Sequence, residues 1–489
     1  MEDLKEKMIR GGLAKVLSQG ANFVVRIGSL MILARLLDPN DFGLVGMVTA
    51  VTGVFHLFKE FGLSTATIQR ASVTQEQLST LFWINLLIGG LLGIFSLALA
   101  PAMAKFYREP RLFAVTAVLG TGFFFNAAGV QHSAILQREM RFTSLAVIET
   151  VSILGGTAVA FAMATHGYGY WALVATTVIA PLISTICVWF TTAWVPGLPR
   201  RQVGIRSMMG FGSKLTLNGL VAYLAYNLEK VLLGRFWGAD AVGLYGRAFQ
   251  LINIPTDNLN SAVGGVVFAA LSRVQHDAER FRNFFLKSYS LVLALTVPIT
   301  AVCVVFASDV ISVVLGPKWS EAVPIFRLLA PTILIFAIIN PLGWVLYSLG
   351  MVGRGLRIAL VFAPLIIAGY VVGLSHGPKG VAFAYSAVMV VWAIPHIAWC
   401  IHGTPISLWD ILVTVSRPLA ASILAGLLAF AVRSVYGHLL PSLPRLALES
   451  TTLLLSFLAL LFFFGGQKSL YLDLLRGIKR DLPAIPSGV

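Results

Sequence analysis

The apolar residues of this chain fall into fourteen long runs, each near the roughly 20 residues that carry a helix across a bilayer. Their approximate bounds are 13–36, 42–66, 78–100, 112–136, 142–165, 170–195, 211–236, 241–270, 284–308, 323–349, 356–374, 380–401, 410–436 and 446–465. Runs this continuous predict helices, because strands of a membrane barrel alternate apolar and polar residues over about 10 positions. Only 12% of the 489 residues are charged and 57% are hydrophobic. A soluble chain carries about 25% charged residues. A soluble enzyme is thereby excluded, and so is a disordered chain, which needs low hydrophobicity. The expected class is an all-α integral membrane protein.

Charge gives the orientation. Thirty-six Lys and Arg against 21 Asp and Glu leave a net charge of +15. No nucleic-acid-binding motif accompanies this excess, so no nucleic-acid partner is expected. Basic loops instead mark the cytoplasmic side of a membrane protein. Arg200, Arg201 and Arg206, then Arg273, Arg280, Arg282 and Lys287, then Lys468, Arg476, Lys479 and Arg480 form the clusters expected to be cytoplasmic. The outer loop with Lys105, Arg108 and Arg111 runs against the trend. Fourteen spans place both termini on the cytoplasmic side. Tyr168, Tyr170 and Trp171 suit an aromatic belt at the outer interface. The run after the charged start, Met1 to Lys15, is too long for a signal h-region and reads as a retained first span. Cys187, Cys303 and Cys400 stand inside apolar runs, without metal or disulfide spacing, and read as core residues.

The longest polar stretch, 196–210, separates six spans from eight. A repeat supports that division. Arg35, Gly43, Leu44 and Gly46 recur as Arg235, Gly243, Leu244 and Gly246, in register. Spans 1 and 7 then start on the same side, so the repeat is parallel, as in transporters whose substrate path runs between two halves. The expected layout is an N-terminal lobe of spans 1–6 (1–200), a C-terminal lobe of spans 7–12 (201–405), and two further helices with a tail (406–489). The lobes are pseudo-symmetric six-helix bodies around a central cavity.

Polar residues inside spans locate that cavity, because each charge facing lipid at mid-bilayer costs about 2.5–3.5 kcal/mol. Lys15, Gln19, Asn22, Arg26 and Ser29 share one helical face. So do Thr49, Thr52, His56, Lys59 and Glu60 in span 2. Lys214, Asn218, Tyr226, Glu229 and Lys230 share a face in span 7, as do Arg247, Gln250, Asn253, Asp257 and Asn260 in span 8. Spans 1, 2, 7 and 8 are therefore expected to line the cavity. Arg26, Lys59, Lys230 and Arg247 face Glu60, Glu229 and Asp257 there, and the net basic lumen suits an anionic substrate such as a pyrophosphate or an acidic sugar. The same residues also read as helix-pairing groups, Glu229 with Lys230 or Arg247 and Lys59 with Glu60. Glu149 in span 5, Arg327 and Arg417 are weaker signals, and the two arginines read equally well as snorkelling side chains. His56 reads as a packing residue or a proton-titrating one. Pro255, Pro298, Pro324, Pro331 and Pro341 are expected to kink their helices. No nucleotide-binding loop, catalytic triad or metal spacing is present, so no catalytic residue, cofactor or metal is expected.

Five segments carry a resemblance: ARLLDPNDFGLVGMVTAV (34–51), FKEFGLSTATIQR (58–70), QLSTLFWINLLIGGLLG (77–93), LQREMRF (136–142) and GYGYWALV (167–174). Together they resemble the polysaccharide transporter family of the multidrug/oligosaccharidyl-lipid/polysaccharide exporter superfamily, in its exopolysaccharide branch. Beyond span 8 the likeness is one of layout. The resemblance implies a V-shaped two-lobe transporter with alternating access in the bacterial cytoplasmic membrane. It implies an undecaprenyl-pyrophosphate-linked oligosaccharide as substrate, flipped from the cytoplasmic to the periplasmic leaflet for exopolysaccharide, capsule or O-antigen. Arg26 is similar in position to the cavity arginine of lipid II flippases. Asn22, Asn218, Gln250 and Asn253 would then meet sugar hydroxyls. Membrane lipid, the polysaccharide polymerase and export machinery, and a coupling ion, proton or sodium, are the further partners it suggests. A drug or toxin exporter of the same fold, a lipid II flippase and a non-transporting membrane scaffold are the competing readings.

Overall fold

A computed structural model of the chain describes residues 2–58, 67, 73–200 and 206–464. Among them there is no strand. Fifteen α-helices follow one another: α1 (Glu2–Leu36), α2 (Pro39–Phe58), α3 (Gln75–Tyr107), α4 (Arg111–Arg138), α5 (Phe142–Thr165), α6 (Trp171–Thr192), α7 (Arg206–Arg273), α8 (Ala278–Val305), α9 (Ala307–Val314), α10 (Ala322–Leu329), α11 (Pro331–Ser348), α12 (Val352–Gly373), α13 (Gly377–Ile401), α14 (Leu408–Tyr436) and α15 (Ser442–Ala459). Over the described residues, all fourteen apolar runs fall on helix. Nine helical stretches there are long and apolar enough to cross a membrane. One of these, Val352–Ile401, holds both α12 and α13. The chain is an all-helical, multi-pass membrane protein.

Local chemistry sets the helix ends. Pro39 takes the first position of α2, where its missing N–H costs nothing, and the Asp41 carboxylate accepts from the Asp38 N–H at 3.2 Å. Thr74 and Gln77 form a capping box at α3, and Ser407 and Asp410 form another at α14. Arg108 closes α3 in the left-handed region. Beyond it, the hydrogen bond from Arg111 holds the Glu109 carboxyl below its usual range. Pro331 starts α11 directly after Ala330, which keeps helical angles, so the stretch Ala322–Ser348 is α10 and α11 meeting at the proline. In α7 the only non-helical residue is Gly238, at φ +82°. It stands 200 residues after Asp38, the break between α1 and α2. The second repeat copy thus makes the same break with one left-handed glycine.

The chain packs as two compact units. Residues 1–246 and 314–318 form the first, and residues 247–313 and 319–489 the second. The arm 206–237 belongs with the helices before it because it is fastened to α2. Tyr223 donates its hydroxyl to the carbonyls of Thr49 (3.0 Å) and Ala50 (3.1 Å), and Gly53 makes room for that ring.

In the first unit α4 packs between α3 and α6, α5 packs on α6, and α1 lies against α5. Small residues let these helices approach closely. A Cβ on Gly89 would stand 2.3 Å from the Ala127 Cβ, and the Ser96 hydroxyl bonds the Thr116 carbonyl across the same crossing. The repeat itself makes the tightest crossing. A Cβ on Gly43 would stand 1.7 Å from the Ala239 carbonyl oxygen, and one on Gly243 would stand 1.9 Å from that of Pro39. Shifting either contact by 200 residues produces the other. The two copies therefore meet about a local pseudo-twofold relation, the isologous form of a symmetric contact.

In the second unit α11 packs against α8 and α13, α12 against α13, and the α14–α15 pair against α8. Phe306, Ala421, Ala425, Ala429, Leu453, Phe457 and Leu461 form the core of that last contact. A buried ion network stands at its end. Asp309, 1% exposed, meets Arg445 Nε at 2.9 Å and Arg433 Nη1 at 2.8 Å, and the same Arg433 nitrogen lies 3.6 Å from buried Glu449.

Candidate functional site

The polar face of α1 is complemented from α5. Asn22 is buried, and its Oδ1 accepts from the Thr150 hydroxyl at 2.9 Å. One turn further on, Arg26 Nη2 meets Glu149 Oε1 at 3.4 Å. The Arg26 side chain is 66% exposed and that of Glu149 is 52% exposed. Both residues lie well inside membrane-length helices. An exposed pair of charges cannot face hydrocarbon cheaply. The pair brings in Glu149 and Thr150. Glu149 stood out in the sequence only as an isolated charge, and Thr150 not at all.

The other expected residues of the first unit divide by burial. His56 is exposed, with its ring 5.1 Å from Phe123. Tyr226 is partly buried. Glu229 is fully buried, so its carboxylate does not line an open cavity here. Lys230 Nζ approaches it to 3.6 Å and also donates to Asn227 Oδ1 at 2.8 Å. Of the two pairings considered for Glu229, the one with Lys230 is present. In the second unit Arg247 donates to Gln250 one turn along, Asn253 is partly buried, and its carbonyl accepts from Thr256 at 2.9 Å. Lys59 and Glu60, and the side chains of Lys15, Lys214, Asn218, Asp257 and Asn260, lie outside the described residues.

At the crossing of the repeats, Asn40 Nδ2 donates to Asp240 Oδ2 at 2.9 Å and Arg111 reaches Asn40 Oδ1 at 3.4 Å. Lys318 pairs with Asp38 at 2.8 Å beside them. Periodicity within one span gives no sign of these contacts. Only the 200-residue offset of the repeat does.

A multi-pass helical bundle with a half-exposed charge pair inside its spans is a membrane transporter. Its fold is similar to that of the lipid II flippase MurJ in an inward closed conformation. The TM-score is 0.74 at 14% identity, over 96% of this chain and 100% of that one. In sequence the chain is similar to the lipopolysaccharide biosynthesis protein WzxC of Escherichia coli K12. The two are 26% identical over 402 residues, 79% of this chain and 80% of that protein. It is 27% identical over 355 residues to the teichuronic acid biosynthesis protein TuaB of Bacillus subtilis 168, 72% of this chain and 73% of that protein. The family model described as polysaccharide biosynthesis protein matches residues 32–324, more than half of the chain. The chain belongs to that family.

Proposed function

We propose that this protein is a flippase of the bacterial cytoplasmic membrane that moves undecaprenyl-pyrophosphate-linked oligosaccharide units from the cytoplasmic to the periplasmic leaflet. The units serve exopolysaccharide, capsule or O-antigen assembly. The observation that carries this reading is the exposed Arg26, paired with Glu149 between α1 and α5 of a polysaccharide biosynthesis protein. A guanidinium keeps its charge when desolvated and offers a planar fork to phosphate. The lobes 1–200 and 201–405 alternate access to a basic cavity lined by the polar faces of spans 1, 2, 7 and 8, and both termini are cytoplasmic. Arg26, Lys59, Lys230 and Arg247 attract the pyrophosphate. Asn22, Asn218, Gln250 and Asn253 meet sugar hydroxyls, and the lipid tail stays in the bilayer.

The test is a strain lacking the protein. Its lipid-linked oligosaccharides are extracted, identified by mass spectrometry and assigned to a leaflet. The expected result is one defined repeat unit trapped in the inner leaflet. Normal surface polysaccharide with no trapped unit would overturn the reading. Loss of cationic dye efflux would then point to a drug exporter, and loss of viability to a lipid II flippase.

A further inference from the structure

The Arg26–Glu149 pair is built to be broken. Its single contact, 3.4 Å from Nη2 to Oε1, is longer than the roughly 2.7–2.9 Å of a strong charge-assisted bond. Among the described residues no second carboxylate approaches Arg26, so most of its fork stays open. A hydrogen bond joins the two helices one turn away. Thr150 bonds Asn22 at 2.9 Å, and Asn22 lies one turn from Arg26 and is only 4% exposed. The α1–α5 crossing thus presents the two charges to each other, and with both side chains more than half exposed their attraction is weak.

That arrangement has a consequence for which lipids bind. A bilayer with anionic lipid offers an exposed arginine a large excess of headgroups that each carry one phosphodiester charge with no ammonium to offset it. An unaccompanied Arg26 would hold them. A carboxylate beside it competes for the guanidinium and repels any anion that does not displace it. Specificity often comes from such a repulsive element as well as from an attraction. A pyrophosphate carries more charge and enough oxygens to engage the fork in two places.

We infer that Glu149 is the resident counter-ion of Arg26 and selects the headgroups that reach it: a pyrophosphate displaces the carboxylate, and the single charge of an ordinary phosphodiester does not. The inference rests on the flippase reading and gives Glu149 a positioning and discriminating role within it.

The experiment uses the full-length protein in liposomes and a polyprenyl-pyrophosphate-linked disaccharide as probe. The membrane is varied from phosphatidylcholine alone to one rich in phosphatidylglycerol. The wild-type rate is expected to be the same throughout. Glu149→Gln is expected to lose about fivefold of its own phosphatidylcholine rate in phosphatidylglycerol, the weight of an exposed ion pair. Glu149→Asp should restore the wild-type profile. Equal wild-type and Glu149→Gln rates in every membrane would overturn the inference alone. So would a wild-type rate that falls in phosphatidylglycerol as steeply as that of Glu149→Gln. A wild-type protein that moves no probe in any membrane would overturn the flippase reading, and the inference with it.

Discussion

Asn40 and Asp240, repeat partners 200 residues apart, share a hydrogen bond of 2.9 Å. The halves of the repeat are therefore in contact at their matched positions. The glycines explain how they come so close. Gly43 and Gly243 each face the other copy's backbone at a distance that leaves no space for a methyl group.

Alanine at either glycine should therefore destabilise the fold. Overpacking a tight contact costs about 1–3 kcal/mol, and here the obstacle is a carbonyl oxygen on a helical backbone, which yields little. Thermal unfolding in detergent should show a clear fall in Tm for Gly43→Ala and for Gly243→Ala. Gly46→Ala should lose much less, because its Cβ would meet only the end of the Val242 side chain at 3.1 Å. Three equal changes in Tm would mean that the crossing is looser than described.

The same crossing gives a functional expectation. If the lobes alternate access, repeat-related helix ends separate at one stage of the cycle. With Cys187, Cys303 and Cys400 replaced by alanine, the double variant Asn40→Cys and Asp240→Cys should transport until a short bifunctional thiol reagent joins the two positions. Joining should then abolish transport, and a monofunctional reagent should not. Full transport by the cross-linked protein would show that these ends stay together throughout.

The network at the end of α8 tests a different kind of contact. Asp309 is buried and pairs with both Arg433 and Arg445. Removing one member of a buried ion pair costs about 3–5 kcal/mol, since the partner charge is left uncompensated. Asp309→Ala should therefore lower Tm sharply. Glu449→Gln should cost far less, because neither Glu449 oxygen has a hydrogen bond and its nearest cation stands at 3.6 Å. A larger loss from Glu449→Gln than from Asp309→Ala would contradict this account of the network.

The helical architecture was legible because its signal is local. Each run of about 20 apolar residues marks its own helix whatever its neighbours do. The polar stripe of α1 was legible for the same reason, and Asn22 and Arg26 do share a polar face. Their partners were not. Glu149 and Thr150 acquire meaning only when α1 lies against them. Asp309, Arg433, Arg445 and Glu449 come from three helices and look like ordinary helix-end charges until the chain folds. The repeat stood between these cases. Its glycines were visible as matched positions, but their mutual contact is a property of packing. Glu229 shows the opposite failure. Its place on a polar face suggested an open cavity, whereas burial assigns it to the interior beside Lys230.

Arg26 and Arg247 separate the stripe residues by chemistry. Arg26 is exposed beside a carboxylate, and Arg247 donates along its own helix to the neutral Gln250. On the proposed function both attract the pyrophosphate, so Arg26→Ala and Arg247→Ala should each lower transport while expression and Tm stay near wild type. Losing one charged hydrogen bond, about 1.5–3 kcal/mol, corresponds to a fall of roughly tenfold or more. Arg26→Lys discriminates further. Lysine keeps the charge but lacks the planar fork. If the fork engages two phosphate oxygens, Arg26→Lys should transport less than wild type and more than Arg26→Ala, with the deficit in apparent affinity for the lipid-linked substrate. If charge alone matters, Arg26→Lys should match wild type. Transport at the wild-type level by both alanine variants would remove the basic cavity from the mechanism.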